Sequence, residues 1–247
     1  MKVVALIPAA GLSTRMGNKQ APSPARKPFL LLDGVPILIH TLRKFAASPV
    51  VAAVYVALRT DDTPVFLPYL EAEKFTKRVE LVEGGDHRQE SVENCLRRVP
   101  PDTDLVAVHD AVRPFVEVEA IGRVVEEAGR TGAAILGIPP VDTVKQVERA
   151  QIRGTIPREL IVLAQTPQVF RYDILCRAFE KAAAEGFVGT DEASLVEHLG
   201  VEVSVVMGSD RNIKITKPGD LELARLFLIE ERARAVAGAG AGAHSSR

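Results

Sequence analysis

Short apolar runs rich in valine and isoleucine alternate along this chain with longer stretches whose apolar residues recur every three or four positions. Val3 to Ile7, Val54 to Leu58, Val79 to Val82, Leu105 to Val108, Ala133 to Ile138 and Val203 to Met207 carry the first pattern and are predicted strands. Ile37 to Ala47, Ser91 to Val99, Glu117 to Thr131, Tyr172 to Glu185, Asp191 to Leu199 and Pro218 to Val236 carry the second and are predicted helices. Such alternation predicts an α/β fold, a mostly parallel sheet with helices on both faces. Ligands of such sheets lie beyond the carboxyl ends of the strands.

Two segments break the rhythm. After Thr143 the text runs VKQVERAQIRGTIPRELI to Ile161, two short alternating runs about a polar turn. They predict a β-hairpin over about 143–161 that projects from the sheet, an arm suited to pairing two copies of the chain. From Ala233 the text alternates Gly and Ala and ends HSSR, without a core pattern. Residues 1–232 are therefore expected to form one domain and residues 233–247 a disordered tail.

Composition narrows the partners. The 247 residues carry 31 basic and 32 acidic side chains, a formal net charge of −1, so no global field draws the protein to nucleic acid or an anionic membrane. Any polyanion must be met by local charge. Cys95 and Cys176 lie in helical patterns with neither metal spacing nor a disulfide framework. The opening MKVVALIPAAG lacks the longer apolar core and cleavage site of a signal peptide, and no apolar stretch reaches the ~20 residues of a membrane helix, so a cytoplasmic location is expected.

The strongest chemical signal follows the first strand: PAAGLSTRMG, then a long loop ending ARKPFLLLDGVPIL. Small residues there let backbone N–H groups approach phosphates, and Arg15 and Lys27 add mobile positive charge. The spacing is neither GxxxxGK[ST] nor GxGxxG, which argues against a P-loop ATPase or a dehydrogenase. Taken alone, the loop also reads as an ordinary βα turn with surface cations. A second signal, DLVAVHDAVRPF, sets His109, Asp110 and Arg113 at the carboxyl end of a strand, where a carboxylate suits a hydroxyl or magnesium and an arginine a phosphate; alone it reads equally as a structural Asp–Arg pair finishing the strand. A third, EGGDHRQES, offers two glycines for close backbone approach, and Ser91 reads equally as a helix cap. Thr190 and Asp191 in GTDEA, and Lys214 in NIKIT, read singly as a cap and a solvated lysine.

In order, PAAG…RMG…K, GGD…R…S, HDAVRP, DTVK, QTPQVF, TDEAS and NIKIT resemble the 2-C-methyl-D-erythritol 4-phosphate cytidylyltransferases of the non-mevalonate isoprenoid pathway, along nearly the whole chain to about Glu231. The resemblance implies a Rossmann-like nucleotidyltransferase fold, a homodimer with exchanged hairpin arms, and Mg2+ held mainly by the CTP phosphates rather than by a protein ligand set. It assigns Pro8, Ala9, Ala10, Gly11, Gly85, Asp86 and Ser91 to CTP, with Asp110 and Arg113 beside ribose and phosphates. Arg15 and Lys27 would stabilise the transition state. Arg158 and Lys214 would position the phosphorylated polyol, with Thr143, Thr166 and Thr190 around it.

Three features depart from the family pattern. The loop between Met16 and Lys27 is longer and carries extra prolines, Arg26 and Pro28 flank the lysine where Pro and Gln are common, and Arg211 replaces an acidic residue before NIK. The rival readings are a ribitol 5-phosphate cytidylyltransferase, a sugar 1-phosphate nucleotidyltransferase and a non-catalytic nucleotide sensor.

Overall fold

Val3 to Ile7 are apolar without alternation, the signature of a strand covered on both faces. In the computed structural model, which describes residues 1–11 and 26–242, they form β1 (Val3–Pro8), an interior strand of a seven-stranded sheet. Arg15 and most of the long loop before Lys27 lie outside the described residues. The chain continues through β2 (Leu31–Leu32), β3 (Val35–Pro36), α1 (Ile37–Ala47), β4 (Val51–Leu58), α2 (Thr63–Glu73), β5 (Arg78–Glu83), α3 (Arg88–Leu96), β6 (Leu105–Val108), α4 (Val118–Thr131) and β7 (Ala133–Ile138). Then come β8 (Val144–Glu148), β9 (Gln151–Ile156), β10 (Leu163–Arg171), α5 (Tyr172–Glu185), α6 (Glu192–Leu199), β11 (Ser204–Met207) and α7 (Pro218–Gly242).

The main sheet runs β11-β7-β10-β6-β1-β4-β5 and is parallel except for β10, which pairs antiparallel with both β6 and β7. Alternate residues of β1 enter opposite layers. Val3, Ala5 and Ile7 pack with Leu38, Leu42 and Phe45 of α1 and with Ile121 and Val124 of α4. Val4 and Leu6 pack with Val92 and Cys95 of α3, Leu175 and Phe179 of α5, and Leu195 of α6. Burial pushes the Cys95 thiol up to about 12, as befits an inert core group. A smaller cluster, including Leu32, Ile37, Val112, Phe115, Ile215 and Ala224, ties α7 over the loop after β6.

Strand β10 was not predicted, because Gln165, Thr166, Pro167 and Gln168 interrupt its apolar pattern. The pairing with β7 slips between Ala164 and Gln168, a bulge that turns these polar residues towards the end of β6. Helix α2 was also missed, since Pro64 and Pro68 argue against a helix there. Helix α3 begins at Arg88, a turn earlier than predicted, so Ser91 lies inside its first turn and is not its cap.

The expected hairpin is present: β8 and β9 pair antiparallel, joined through Arg149 and Ala150, both with positive φ, as a two-residue turn demands. The last helix, expected to reach Val236, runs further. The backbone of α7 stays helical to Gly242, where alternate alanines, the strongest helix formers, offset the glycines between them. Among the described residues no helix is long and apolar enough to cross a membrane.

Candidate functional site

Three strand ends build one cavity. Ala9 N–H donates to the Ala57 carbonyl of β4 at 2.8 Å, and Gly84 N–H donates to the Leu58 carbonyl one residue on, at 2.7 Å. The loops after β1 and β5 are thereby pressed together. A Cβ on Gly84 would stand 2.3 Å from that of Ala10, so this approach requires glycine. The cavity beyond is lined by Pro8, Ala9, Gly11, Lys27, Arg88, Ser91, Asp110 and Lys214, among others. Gly85 and Asp86 adjoin it through main-chain bonds, Gly85 N–H to Ser91 Oγ at 3.1 Å and Asp86 N–H to Glu90 Oε2 at 2.8 Å.

Asp110, at the end of β6, is the only acidic residue among the described residues lining the cavity. Its carboxylate meets Arg88 Nε and Arg113 Nε at 3.3 Å each and Lys214 Nζ at 2.9 Å. Burial opposes its ionisation, but Arg88, Lys214 and Arg113 outweigh it and hold the group well below the usual carboxylate range. Behind it, fully buried Glu192 takes Arg88 Nη1 on both oxygens, at 2.7 and 2.8 Å. Burial pushes the Glu192 carboxyl up, while the facing Arg88 guanidinium, which has no accessible neutral form, pulls it down. Three cations thus face two carboxylates, and Lys27 adds a further positive charge to the cavity. The excess suits a polyphosphate.

A sealed chain of hydrogen bonds fixes the Asp110 backbone. Asp110 N–H donates to Thr166 Oγ1 at 3.0 Å, and Thr166 Oγ1 lies 3.1 Å from His109 Nδ1. His109 Nε2 lies 3.0 Å from the Arg113 carbonyl, which only accepts, so the proton sits on Nε2 and Thr166 donates to Nδ1. The bulge of β10 continues the wall, with Asn212 Nδ2 donating to the Thr166 carbonyl and to Gln165 Oε1.

His109 is wholly buried, and burial pulls its pKa down to about 4. The folded chain therefore stays unprotonated while the unfolded chain binds a proton below about 6.5. Stability is present above that pH and is lost as the pH falls to about 4, by up to roughly 3 kcal/mol from this group. The depressed Asp110 adds its own loss only below the ordinary carboxylate range, while buried His40, also lowered, acts in the same direction as His109. His109→Gln is expected to flatten, without abolishing, the fall in urea-melt stability between pH 7 and pH 5. An unchanged slope would remove His109 as its source.

Of the residues expected from sequence, Pro8, Ala9, Gly11, Lys27, Ser91, Asp110 and Lys214 line the cavity; Ala10 is buried behind the first loop. Arg113 and Thr166 support the wall instead: Arg113 is spent on Asp110 and on the Asn212 carbonyl at 2.6 Å. Thr143 and Arg158, at the base and end of the arm, and Thr190, before α6, are exposed and do not line this cavity. Arg88, Glu192, Gln165 and Asn212 went unrecognised. One signal was available: Arg88 opens α3 against the helix dipole, a placement that calls for a nearby anion.

The family model for IspD, 2-C-methyl-D-erythritol 4-phosphate cytidylyltransferase, matches residues 3–230. A protein of that name from Solibacter usitatus is 58% identical over 240 residues, covering 95% of this chain and 98% of its own. One from Acidobacterium capsulatum is 52% identical over 239 residues, covering 95% and 100%. Among solved structures, 4-diphosphocytidyl-2C-methyl-D-erythritol synthase from Anaerococcus prevotii superposes with TM-score 0.80 at 28% identity, covering 92% and 96% of the two chains. The 2-C-methyl-D-erythritol 4-phosphate cytidylyltransferase of Thermus thermophilus does so with TM-score 0.75 at 36% identity, covering 92% and 98%.

Proposed function

The chain belongs to the IspD family of 2-C-methyl-D-erythritol 4-phosphate cytidylyltransferases, and from that membership we infer that its cavity transfers CMP from CTP to 2-C-methyl-D-erythritol 4-phosphate. The carrying observation is the pairing of a small-residue loop with Lys27, Lys214 and the cations held on Asp110 at the carboxyl ends of the strands. A phosphate oxygen of the acceptor attacks the α-phosphorus of CTP, the bond to the β-phosphate breaks, and pyrophosphate leaves with the electron pair. Both partners are anions, so cations fixed in advance lower the barrier most where charge builds.

An acceptor phosphate is already nucleophilic at neutral pH and needs no activating base. The site accords with this: His109 is sealed from the cavity, and the Ser91 hydroxyl is engaged by the main chain at Gly85 and His87. A Mg2+ held mainly by the CTP phosphates would find one protein carboxylate in the cavity lining, that of Asp110. When bound, that ion would spread phosphate charge.

The arm is assigned to dimerisation. Val141, Val147, Ile152, Leu160 and Leu163 on or beside it are exposed apolar residues that a second copy would cover. Arg158, exposed and not among the residues lining its own cavity, would then serve the partner's site, with Thr143 beside it. Thr190 and Lys214 would complete the acceptor subsite. Small, water-soluble anionic substrates suit a cytoplasmic enzyme.

The base is read, in this account, by main-chain groups of Ala9 to Gly11 and of the Gly85 segment, where small side chains leave the backbone open. Cytosine presents an amino donor where uracil presents an acceptor, and opposing two buried acceptors costs roughly 1–3 kcal/mol. CTP is therefore expected to exceed UTP in kcat/KM by about tenfold or more. Pyrophosphate release measured with CTP or UTP, and with methylerythritol phosphate, ribitol 5-phosphate or a sugar 1-phosphate as acceptor, tests both points. Equal kcat/KM for the two nucleotides would remove the backbone reading, and a faster rate with ribitol 5-phosphate would reassign the acceptor.

A further inference from the structure

We propose that Asp62, acting through Arg26, is a positioning residue for Lys27, an inference that rests on the catalytic role given to that lysine. In sequence Asp62 is one acid in a TDD run. In the fold it ends a short 3-10 turn, Thr60–Asp62, directly after β4, the strand whose carbonyls already hold the loops at Ala9 and Gly84. The Asp62 carboxylate is completely buried and is bonded by the Arg26 guanidinium.

Arg26 immediately precedes Lys27 and opens the 3-10 turn Lys27–Phe29, closed by Phe29 N–H to the Arg26 carbonyl at 2.9 Å and Leu30 N–H to the Lys27 carbonyl at 3.2 Å. On the far side of Lys27, buried Phe29 meets the edge of Phe66 in α2, with ring centroids 5.9 Å apart. Both flanks of the lysine are thus anchored to residues 62–66, and Pro28 stiffens the backbone between the anchors. The end of β4 therefore sets three walls of the cavity relative to one another: the first loop, the Gly84 loop and the lysine turn.

The choice of an ion pair for this anchor is informative. A buried pair adds little net stability over apolar residues of the same size, because both ions lose their water. It does fix direction: a guanidinium on a carboxylate holds its backbone in one orientation. Displacing a transition-state cation by about an ångström is enough to slow catalysis by one to two orders of magnitude.

Steady-state kinetics of Asp62→Asn, Arg26→Gln and Arg26→Lys, each in the wild-type and the Lys27→Ala background, test the proposal. Asp62→Asn and Arg26→Gln are expected to lower kcat by about tenfold or more with KM for CTP within about threefold, and Arg26→Lys to retain more of kcat than Arg26→Gln. In the Lys27→Ala background the same changes should cost less than about twofold, since they act through the missing lysine. If a single variant fails to fold, the double Arg26→Gln, Asp62→Asn, which strands no buried charge, carries the same measurement. Wild-type kcat in a variant with a lowered Tm would reduce the pair to a structural prop and overturn the proposal. An undiminished loss in the Lys27→Ala background would overturn it too. If Lys27→Ala itself left kcat intact, the role of Lys27 would fall first, a result separable from any effect of the pair.

Discussion

Lys27→Ala is expected to lower kcat for CMP transfer by on the order of a hundredfold or more, with a much smaller change in KM for CTP. The cavity holds an excess of positive charge even without Lys27: Arg88, Arg113 and Lys214 around Asp110 and Glu192 remain to attract the nucleotide. Ground-state binding therefore survives the loss. What disappears is a cation held at the mouth of the first loop, where charge grows as the α-phosphorus passes between two oxygens. Initial rates over a CTP series at saturating acceptor separate the two parameters. A raised KM with unchanged kcat would make Lys27 a binding residue only.

Mixing Lys27→Ala and Arg158→Ala subunits is expected to recover roughly a quarter of wild-type activity from two nearly inactive homodimers. Arg158 is exposed and does not line the cavity of its own chain. If it completes the partner's site, a mixed dimer contains one intact site: the subunit that keeps Lys27 receives a native Arg158 from its neighbour. Random reassortment makes about half the dimers mixed, and one of two sites works in each, which gives the quarter. Activity that stayed at the homodimer level, with mixed dimers verified by native mass spectrometry, would return Arg158 to its own subunit.

The parts of the fold legible in the sequence are those in which one residue pattern serves one purpose. Strands β1 and β6 are covered on both faces and read as unbroken apolar runs, so the loops after them, with Pro8 to Gly11 and Asp110, could be placed at a ligand edge in advance. Strand β10 was illegible because its middle has two duties: Val169 and Phe170 fill the sheet, while Gln165, Thr166 and Gln168 supply polar bonds to neighbouring elements. Its bulge has no period to detect. Helix α2 was hidden by two prolines that its first turns tolerate.

In the site, the same division holds. Lys27 and Lys214 were found through family motifs, but the groups that hold the cations were not. Arg88 sat inside a quoted motif, and only its meeting with Glu192, 104 positions further along the chain, reveals its function as a brace. Asp62 carries no sequence signal whatever. Arg113 is held by Asp110 and by a main-chain carbonyl, the structural pairing that its motif suggested as readily as a phosphate contact.

The ion cluster around Asp110 also governs when the cavity can exist. Its ties are remote in sequence: Arg88 to Glu192, Arg113 to Asn212, and Asp110 to Lys214. Closing such long loops costs only a little more entropy than closing short ones, about 0.6 kcal/mol for each doubling of length, so the arrangement is cheap once the chain is whole. A chain still growing on the ribosome has the first loop, Arg88, Asp110 and Arg113 early but must wait for residues 192 to 214 before the cluster is complete. Until then Arg88 lacks Glu192, Asp110 lacks Lys214, and the cavity lacks the wall from Lys214 to Thr216.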